Sequence, residues 1–107
     1  MSVRVIFFAK YTPESIKGIM GGSDRMAAAE KLMAAAGGTT NMISFTRGNF
    51  DIVMDVTLPN KEMMMGAAAM VQASGSMSEI MYLECVDGDP IFDAARSIVS
   101  SYTPANA

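Results

Sequence analysis

The sequence contains no histidine and a single cysteine, Cys85. The lack of histidine excludes haem or zinc held by imidazole, and it also excludes catalytic Ser-His-Asp and Cys-His groups. A lone cysteine cannot form an internal disulfide, which is typical of a reducing compartment, and we expect a cytoplasmic protein. Because no histidine can activate its thiol and the predicted strand around it is largely apolar, we interpret Cys85 as a buried structural residue rather than a nucleophile.

Long apolar runs and excess positive charge are also missing. The richest apolar stretch, residues 63–71, is shorter than the roughly 20 residues that a membrane helix needs. Arg4 is followed by only five apolar residues before Lys10, so we expect neither a secretory signal nor a membrane partner. The formal net charge of −3 argues against binding to nucleic acid. With 107 residues, half of them hydrophobic, the chain has enough apolar material for one core.

Periodicity predicts the order β-α-β-β-α-β followed by one more helix. Residues 3–11 are apolar on both faces of a strand, and Thr12-Pro13 then favours a helix start. Gly21-Gly22 and Gly37-Gly38 are typical of helix ends. Two strands, 42–46 and 50–58, flank Gly48-Asn49 and form a predicted hairpin, in which Gly48 adopts a positive φ. A helix after Asn60 and a strand over 77–86 complete the unit.

This order specifies an α+β fold, a ferredoxin-like sandwich with a four-stranded antiparallel sheet and two helices on one face. We expect a domain over residues 1–87 and a helical extension over 88–107, with its helix at 90–102. The open sheet face would carry Ile6, Phe8 and Val53, which is too apolar to remain in water. The last helix has an apolar stripe that also has to dock on another surface. This stripe consists of Ile91, Phe92, Ala95, Ile98, Val99 and Tyr102. We therefore expect a homodimer or a higher homo-oligomer.

Several short segments resemble the GYD family, which is named for a Gly-Tyr-Asp motif. They are Lys10–Glu14, Ile16–Ile19, Ser23–Arg25, Gly37-Gly38 and Gly48–Asp51. In the last of these, Phe50 stands where the family has tyrosine, so no phenol is available at that position. The resemblance implies a dimeric α/β barrel, in which two open sheets pack face to face. It implies no particular reaction.

Four residues form the candidate ligand site. Arg47 would hold an anionic group, Tyr11 would donate a hydrogen bond, and Phe50 would form an apolar wall beside Asp51. Asp51 and Asp55 lie four apart on a strand, and we interpret them as solubilising residues of the hairpin and salt-bridge partners of Arg47 or Lys10 rather than as a cation site or an acid–base pair. The twelve methionines stand at core spacing and are interpreted as packing residues rather than copper ligands.

Two classes of function remain open at the level of sequence. The first is a non-catalytic module that binds a small apolar or anionic ligand, or serves in assembly, as a homo-oligomer without cofactor or metal. The second is a cofactor-independent enzyme, monooxygenase-like or isomerase-like, that acts on a small hydrophobic substrate. The first is preferred because the sequence offers no activated nucleophile and no obvious acid–base pair, so no catalytic residue is assigned. An RNA-recognition domain has the same element order, but here Asn49 occupies an aromatic position and Asp51 would repel phosphate.

Overall fold

A computed structural model describes residues 1–106 of the chain. Within them it forms strands β1 (Val3–Tyr11), β2 (Thr39–Phe45), β3 (Ile52–Leu58) and β4 (Met77–Cys85), helices α1 (Pro13–Met20), α2 (Arg25–Ala36), α3 (Lys61–Ala73) and α4 (Gly88–Ile98), and a 3-10 turn (Val99–Ser101). The strands form one antiparallel sheet in the order β2-β3-β1-β4. The predicted α+β class and four-stranded antiparallel sheet are confirmed, and the first predicted helical segment consists of two helices, α1 and α2, on either side of Gly21-Gly22.

Short polar side chains fix where the helices begin. Asp24 Oδ1 accepts a hydrogen bond from the backbone N–H of Ala27 at 3.0 Å and so caps α2. Asn60 Oδ1 accepts one from Met63 at 2.8 Å and caps α3. Each contact satisfies a backbone donor that the first helical turn leaves without a partner. These caps set the residues at which α2 and α3 begin.

The core lies between these helices and one face of the sheet. Val5 on β1 is paired with Val56 on β3, and both side chains are fully buried. Leu58 is also buried, and Met33 from α2 and Met64 from α3 pack in the same cluster. The two central strands thus bury their alternate residues under the helices, as the period of two in their sequences predicts.

The other face of the sheet is left uncovered by the single chain. Strand pairing puts Val53, Phe8 and Met81 in one row across β3, β1 and β4. Leu83 follows in the next row beside Ile6. Met81 is 47% exposed and Leu83 is 56% exposed, so a large apolar area faces solvent. The predicted apolar open face is therefore present, and β4 adds to it.

The loop between β2 and β3 closes as the predicted hairpin. The backbone N–H of Thr46 donates to the carbonyl of Asp51 at 2.8 Å, and the Thr46 hydroxyl donates to the carbonyl of Phe50 at 2.7 Å. Between them Gly48 has φ +134°, a value that residues with a Cβ rarely adopt. The positive φ expected at Gly48 is confirmed.

Helix α4 begins at Gly88, two residues before the predicted start. Asp87 Oδ1 accepts a hydrogen bond from the N–H of Asp89 at 3.1 Å, which caps the helix there. None of the α4 residues is buried within the described part of the chain. Its apolar stripe therefore has no docking site on its own subunit, and docking on a second subunit stays a prediction. The last residue of the predicted extension, Ala107, lies outside the described residues.

Cys85 is exposed, which corrects the expectation of a buried thiol. It lies at the end of β4 opposite Arg4, on the face that no helix covers. Since β4 is also an edge strand, only one neighbouring strand can shield its side chains.

Among residues 1–106, no helix is both long enough and apolar enough to cross a membrane.

Candidate functional site

A cavity of about 280 Å³ lies between the helices and the sheet. Its walls are mainly apolar and come from both layers, with Phe7, Ile52, Met54 and Ile80 on the sheet side and Leu32 and Met33 on the helix side. The space exists because the inner faces of α2 and α3 carry small residues there, Ala28, Ala29, Ala67 and Ala68. Larger side chains at these positions would fill it.

Four polar residues line this cavity: Tyr11, Arg25, Ser74 and Ser76. The two serines are engaged with their own neighbourhood. The Ser74 hydroxyl donates to the carbonyl of Val71 at 2.6 Å and lies 3.0 Å from the Ser76 hydroxyl. The polar groups that remain for a bound molecule are therefore those of Tyr11 and Arg25.

Tyr11 is 7% exposed, and its side chain lines the cavity. Burial raises the pKa of its phenol; the charge of Arg25 lowers it, and the charge of Asp51 raises it further. The phenol therefore keeps its proton at neutral pH and can donate a hydrogen bond. Its hydroxyl makes no hydrogen bond to any other residue of the described chain.

Asp51 positions Tyr11 through the backbone. The carboxylate oxygen Oδ2 of Asp51 accepts a hydrogen bond from the Tyr11 N–H at 2.9 Å, and the Asp51 N–H donates to the carbonyl of Ala9 at 2.9 Å. Together these contacts fasten the end of β1 to the start of β3. The carboxylate of Asp51 therefore helps to hold in place the part of the cavity wall that contains Tyr11.

Arg25 is the site residue that sequence reasoning missed. It is the first residue of α2, directly after the Asp24 cap. Its Nε is buried and has no hydrogen-bond partner in the structure as described. A signal was available in the sequence, since Arg25 precedes Ala29, Leu32 and Met33 at helical spacing and so lies on the inner face.

The other predicted site residues lie elsewhere. Phe50 is on the open face, with its ring centroid 5.6 Å from that of Phe8 and 6.0 Å from Lys10 Nζ. Arg47 is exposed in the β2–β3 loop and does not line the cavity. The structure thus brings Tyr11 and Asp51 together and separates them from Arg47 and Phe50, because Phe50 lies on the opposite side of the sheet from Tyr11.

Asp55 has a different partner from the one expected. It forms an ion pair with Arg4 on the open face, not with Arg47 or Lys10. Lys10 lies 3.5 Å from Glu79 instead. Cross-strand register explains both pairs, because it brings β1 beside β3 on one side and β4 on the other.

Over residues 1–106, no group of three or more acidic or cysteine side chains could hold a metal ion.

The family model described as GYD domain matches residues 5–91, which confirms the resemblance inferred from the short segments. No curated protein matches the chain. Among solved structures, MtbAldR is similar with a TM-score of 0.63 at 7% identity over 81% of this chain, which spans only 55% of MtbAldR.

Two more solved structures match the chain. FFRP-DM1 has a TM-score of 0.54 at 12% identity, with 78% of this chain and 99% of that chain covered. A dimeric ferredoxin-like protein of unknown function from Thermobifida fusca YX has a TM-score of 0.44 at 15% identity, with 81% and 92% covered. At such low identities the likeness concerns the fold alone.

Proposed function

This chain belongs to the GYD domain family, and from that premise we propose that it is a non-catalytic ligand-binding module that works as a homo-oligomer. The single observation that carries the proposal is the cavity of about 280 Å³ between helices and sheet. Its apolar walls favour a small molecule with a hydrophobic body. A volume of this size has room for about nine water-sized groups.

The homo-oligomer part of the proposal is supported by the open face of the sheet. Its centre is apolar, with Phe8, Val53 and Leu83, and ion pairs flank it: Arg4 with Asp55 at one end and Lys10 with Glu79 at the other. An apolar centre with a polar margin is the usual composition of a protein interface. A second copy of the same face would cover the centre in a symmetric dimer.

Methionine methyl NMR tests the cavity directly, because the chain supplies reporters inside and outside it. Met33, Met54 and Met77 line the cavity, whereas Met20 and Met65 are exposed and do not line it. Protein labelled at the methionine methyl groups would be titrated with octanamide, a neutral molecule of about ten non-hydrogen atoms that matches the cavity volume. We expect saturable shifts at the three cavity methyls and unchanged signals from the two exposed ones.

A cavity-filling variant is the matched control for this titration. Ala68 is 6% exposed and lines the cavity, so Ala68→Leu would occupy the space that octanamide needs. We expect it to remain folded and to lose the octanamide-dependent shifts. Absence of saturation at millimolar octanamide in the unmodified protein would contradict ligand binding in the cavity, and turnover of the bound molecule would favour the enzyme alternative.

A further inference from the structure

We propose that the cavity selects small hydrophobic monocarboxylates, with Arg25 pairing with the carboxylate and the Tyr11 hydroxyl donating a second hydrogen bond. This inference rests on the proposed function and specifies its ligand class. It does not follow from the sequence-based site, in which Arg47 had the anion-binding role. The structure replaces Arg47 with Arg25 because Arg25 lines the cavity and Arg47 does not.

The state of the Arg25 side chain is the first support. A guanidinium nitrogen that is shielded from solvent ordinarily has an acceptor, since a buried donor without one has lost its hydrogen bonds to water and gained none in return. Arg25 Nε is buried without an acceptor among residues 1–106, and no acidic side chain in this range pairs with Arg25. The acidic residue nearest in sequence, Asp24, is already occupied as the cap that accepts from Ala27.

The arrangement of the two donors is the second support. Tyr11 and Arg25 both line the cavity, and the guanidinium charge acts on the Tyr11 phenol. The phenol is therefore a neutral donor beside a permanent cation, with no acceptor of its own in the described chain. A carboxylate has two oxygens that accept hydrogen bonds, so it can use both groups at once.

Charge and size then limit the ligand. Arg25 is the one charged residue among those that line the cavity within the described range. A single cation balances one negative charge, whereas a phosphate monoester carries about −1.5 to −2 and would keep an uncompensated charge in an apolar space. The rest of the cavity has room for an apolar body of fewer than about nine water-sized groups. Aliphatic acids such as octanoate and aromatic acids such as phenylacetate both fit this description.

The test compares each acid with its neutral amide of the same shape. Octanoate and octanamide, and phenylacetate and phenylacetamide, would be titrated into the full-length protein while the Met33 and Met77 methyl signals are followed. We expect each acid to bind at least about tenfold more tightly than its amide, since hydrogen bonds between charged groups are stronger than those to a neutral group. The tighter of the two acids identifies the aliphatic or the aromatic class.

Two arginine variants separate recognition from a structural role. Arg25→Gln removes the charge at the cavity and should lower the affinity for the acids about tenfold or more, with little change for the amides. Arg47→Gln removes the same charge from the exposed loop and should change neither. Tyr11→Phe should cause a smaller loss for the acids, because it removes one neutral donor.

The outcomes distinguish the two proposals. If acids and amides bind equally and Arg25→Gln has no selective effect, the cavity binds ligands but the carboxylate assignment is wrong. If Arg47→Gln is the variant that loses acid binding, the anion site is in the loop. If neither acid nor amide saturates the cavity methyl shifts, the proposed function itself fails. Tighter binding of octyl phosphate than of octanoate would overturn the argument from a single cation.

Discussion

Arg4 and Asp55 form a two-point ion pair across β1 and β3. Arg4 Nε donates to Asp55 Oδ1 at 3.0 Å, and Arg4 Nη2 donates to Oδ2 at 2.6 Å. Asn41 adds a hydrogen bond to Oδ1 at 3.1 Å. The Asp55 side chain is only 12% exposed although it lies on the open face, because these partners surround it. The pair fixes the register of the central strands with directional contacts.

Acid should weaken the protein through Asp55. Hydrogen bonds from Arg4 and then Asn41 hold the pKa of this carboxylate below its ordinary value. A folded-state pKa below the unfolded value of about 3.9 stabilises the fold above that pH, and the contribution is lost as pH falls through the folded pKa. We expect Asp55→Asn to lower stability at pH 7, and the gap to the unmodified protein to shrink below about pH 4.

Urea unfolding at several pH values measures that gap. Glu79→Gln is the matched control, since Glu79 belongs to an ion pair at 3.5 Å whose side chains are 43% and 49% exposed. Such an exposed pair contributes about 0–1 kcal/mol, so the control should change stability little. A stability gap for Asp55→Asn that is the same at pH 3 and pH 7 would contradict this prediction.

Gly48 should not tolerate a Cβ. Its φ of +134° is unfavourable for alanine although no atom lies within 4 Å of the added carbon, so the cost is one of backbone strain. We expect Gly48→Ala to lower the free energy of unfolding by about 1–3 kcal/mol. Gly66→Ala is the control, because Gly66 is helical in α3 and its added Cβ also meets nothing. That change should stabilise by about 0.4–1 kcal/mol. Equal melting temperatures for both variants would disprove the strain.

The open sheet face should be the dimer interface. Leu83 is 56% exposed on this face, and Met65 is 54% exposed on α3, so the two differ in place rather than in exposure. We expect Leu83→Glu to remain folded and to weaken self-association at least about tenfold, since burying a leucine side chain is worth roughly 1.5–3 kcal/mol. Phe8→Glu should dissociate or aggregate the protein. Met65→Glu should leave the subunit count unchanged. Sedimentation equilibrium measures the self-association of all three variants. If the unmodified protein is a monomer at micromolar concentration, the proposed homo-oligomer is contradicted.

We expect helix α4 to pack against the second subunit. Phe92 is 60% exposed and Ile98 is 65% exposed in the single chain, so charging them cannot disturb the core of their own subunit. We expect the double variant Phe92→Asp and Ile98→Asp to associate more weakly than the unmodified protein. The melting temperature of the variant monomer should equal that of the unmodified monomer. Ser97→Asp adds a charge beside the apolar stripe and serves as the control.

Truncation after Asp87 extends the test of α4. The shortened chain should associate more weakly than the full one, and should bind more of an apolar dye where the helix had covered the neighbouring subunit. An unchanged subunit count together with unchanged dye binding means that α4 has no part in assembly.

The sequence by itself determined the architecture. The period of two in Val3–Tyr11 and Ile52–Leu58, the caps at Asp24 and Asn60, and the turn at Gly48 are local signals, because they depend on backbone geometry within a few residues. The positions of the strands along the chain, the hairpin and the apolar open face followed from them. The family resemblance also followed from short segments, and residues 5–91 confirm it.

Only the tertiary structure decided which residues line the cavity. Which cation lines it together with Tyr11 depends on how α2 lies on the sheet, and Arg25 lines it whereas Arg47 does not. Whether Cys85 is covered, and whether Asp55 pairs with Arg4, depends on neighbours from distant strands. The cavity also depends on tertiary packing. In the sequence, the alanines of α2 and α3 indicate only a high helix propensity. Their small side chains leave an empty space once the helices pack against the sheet.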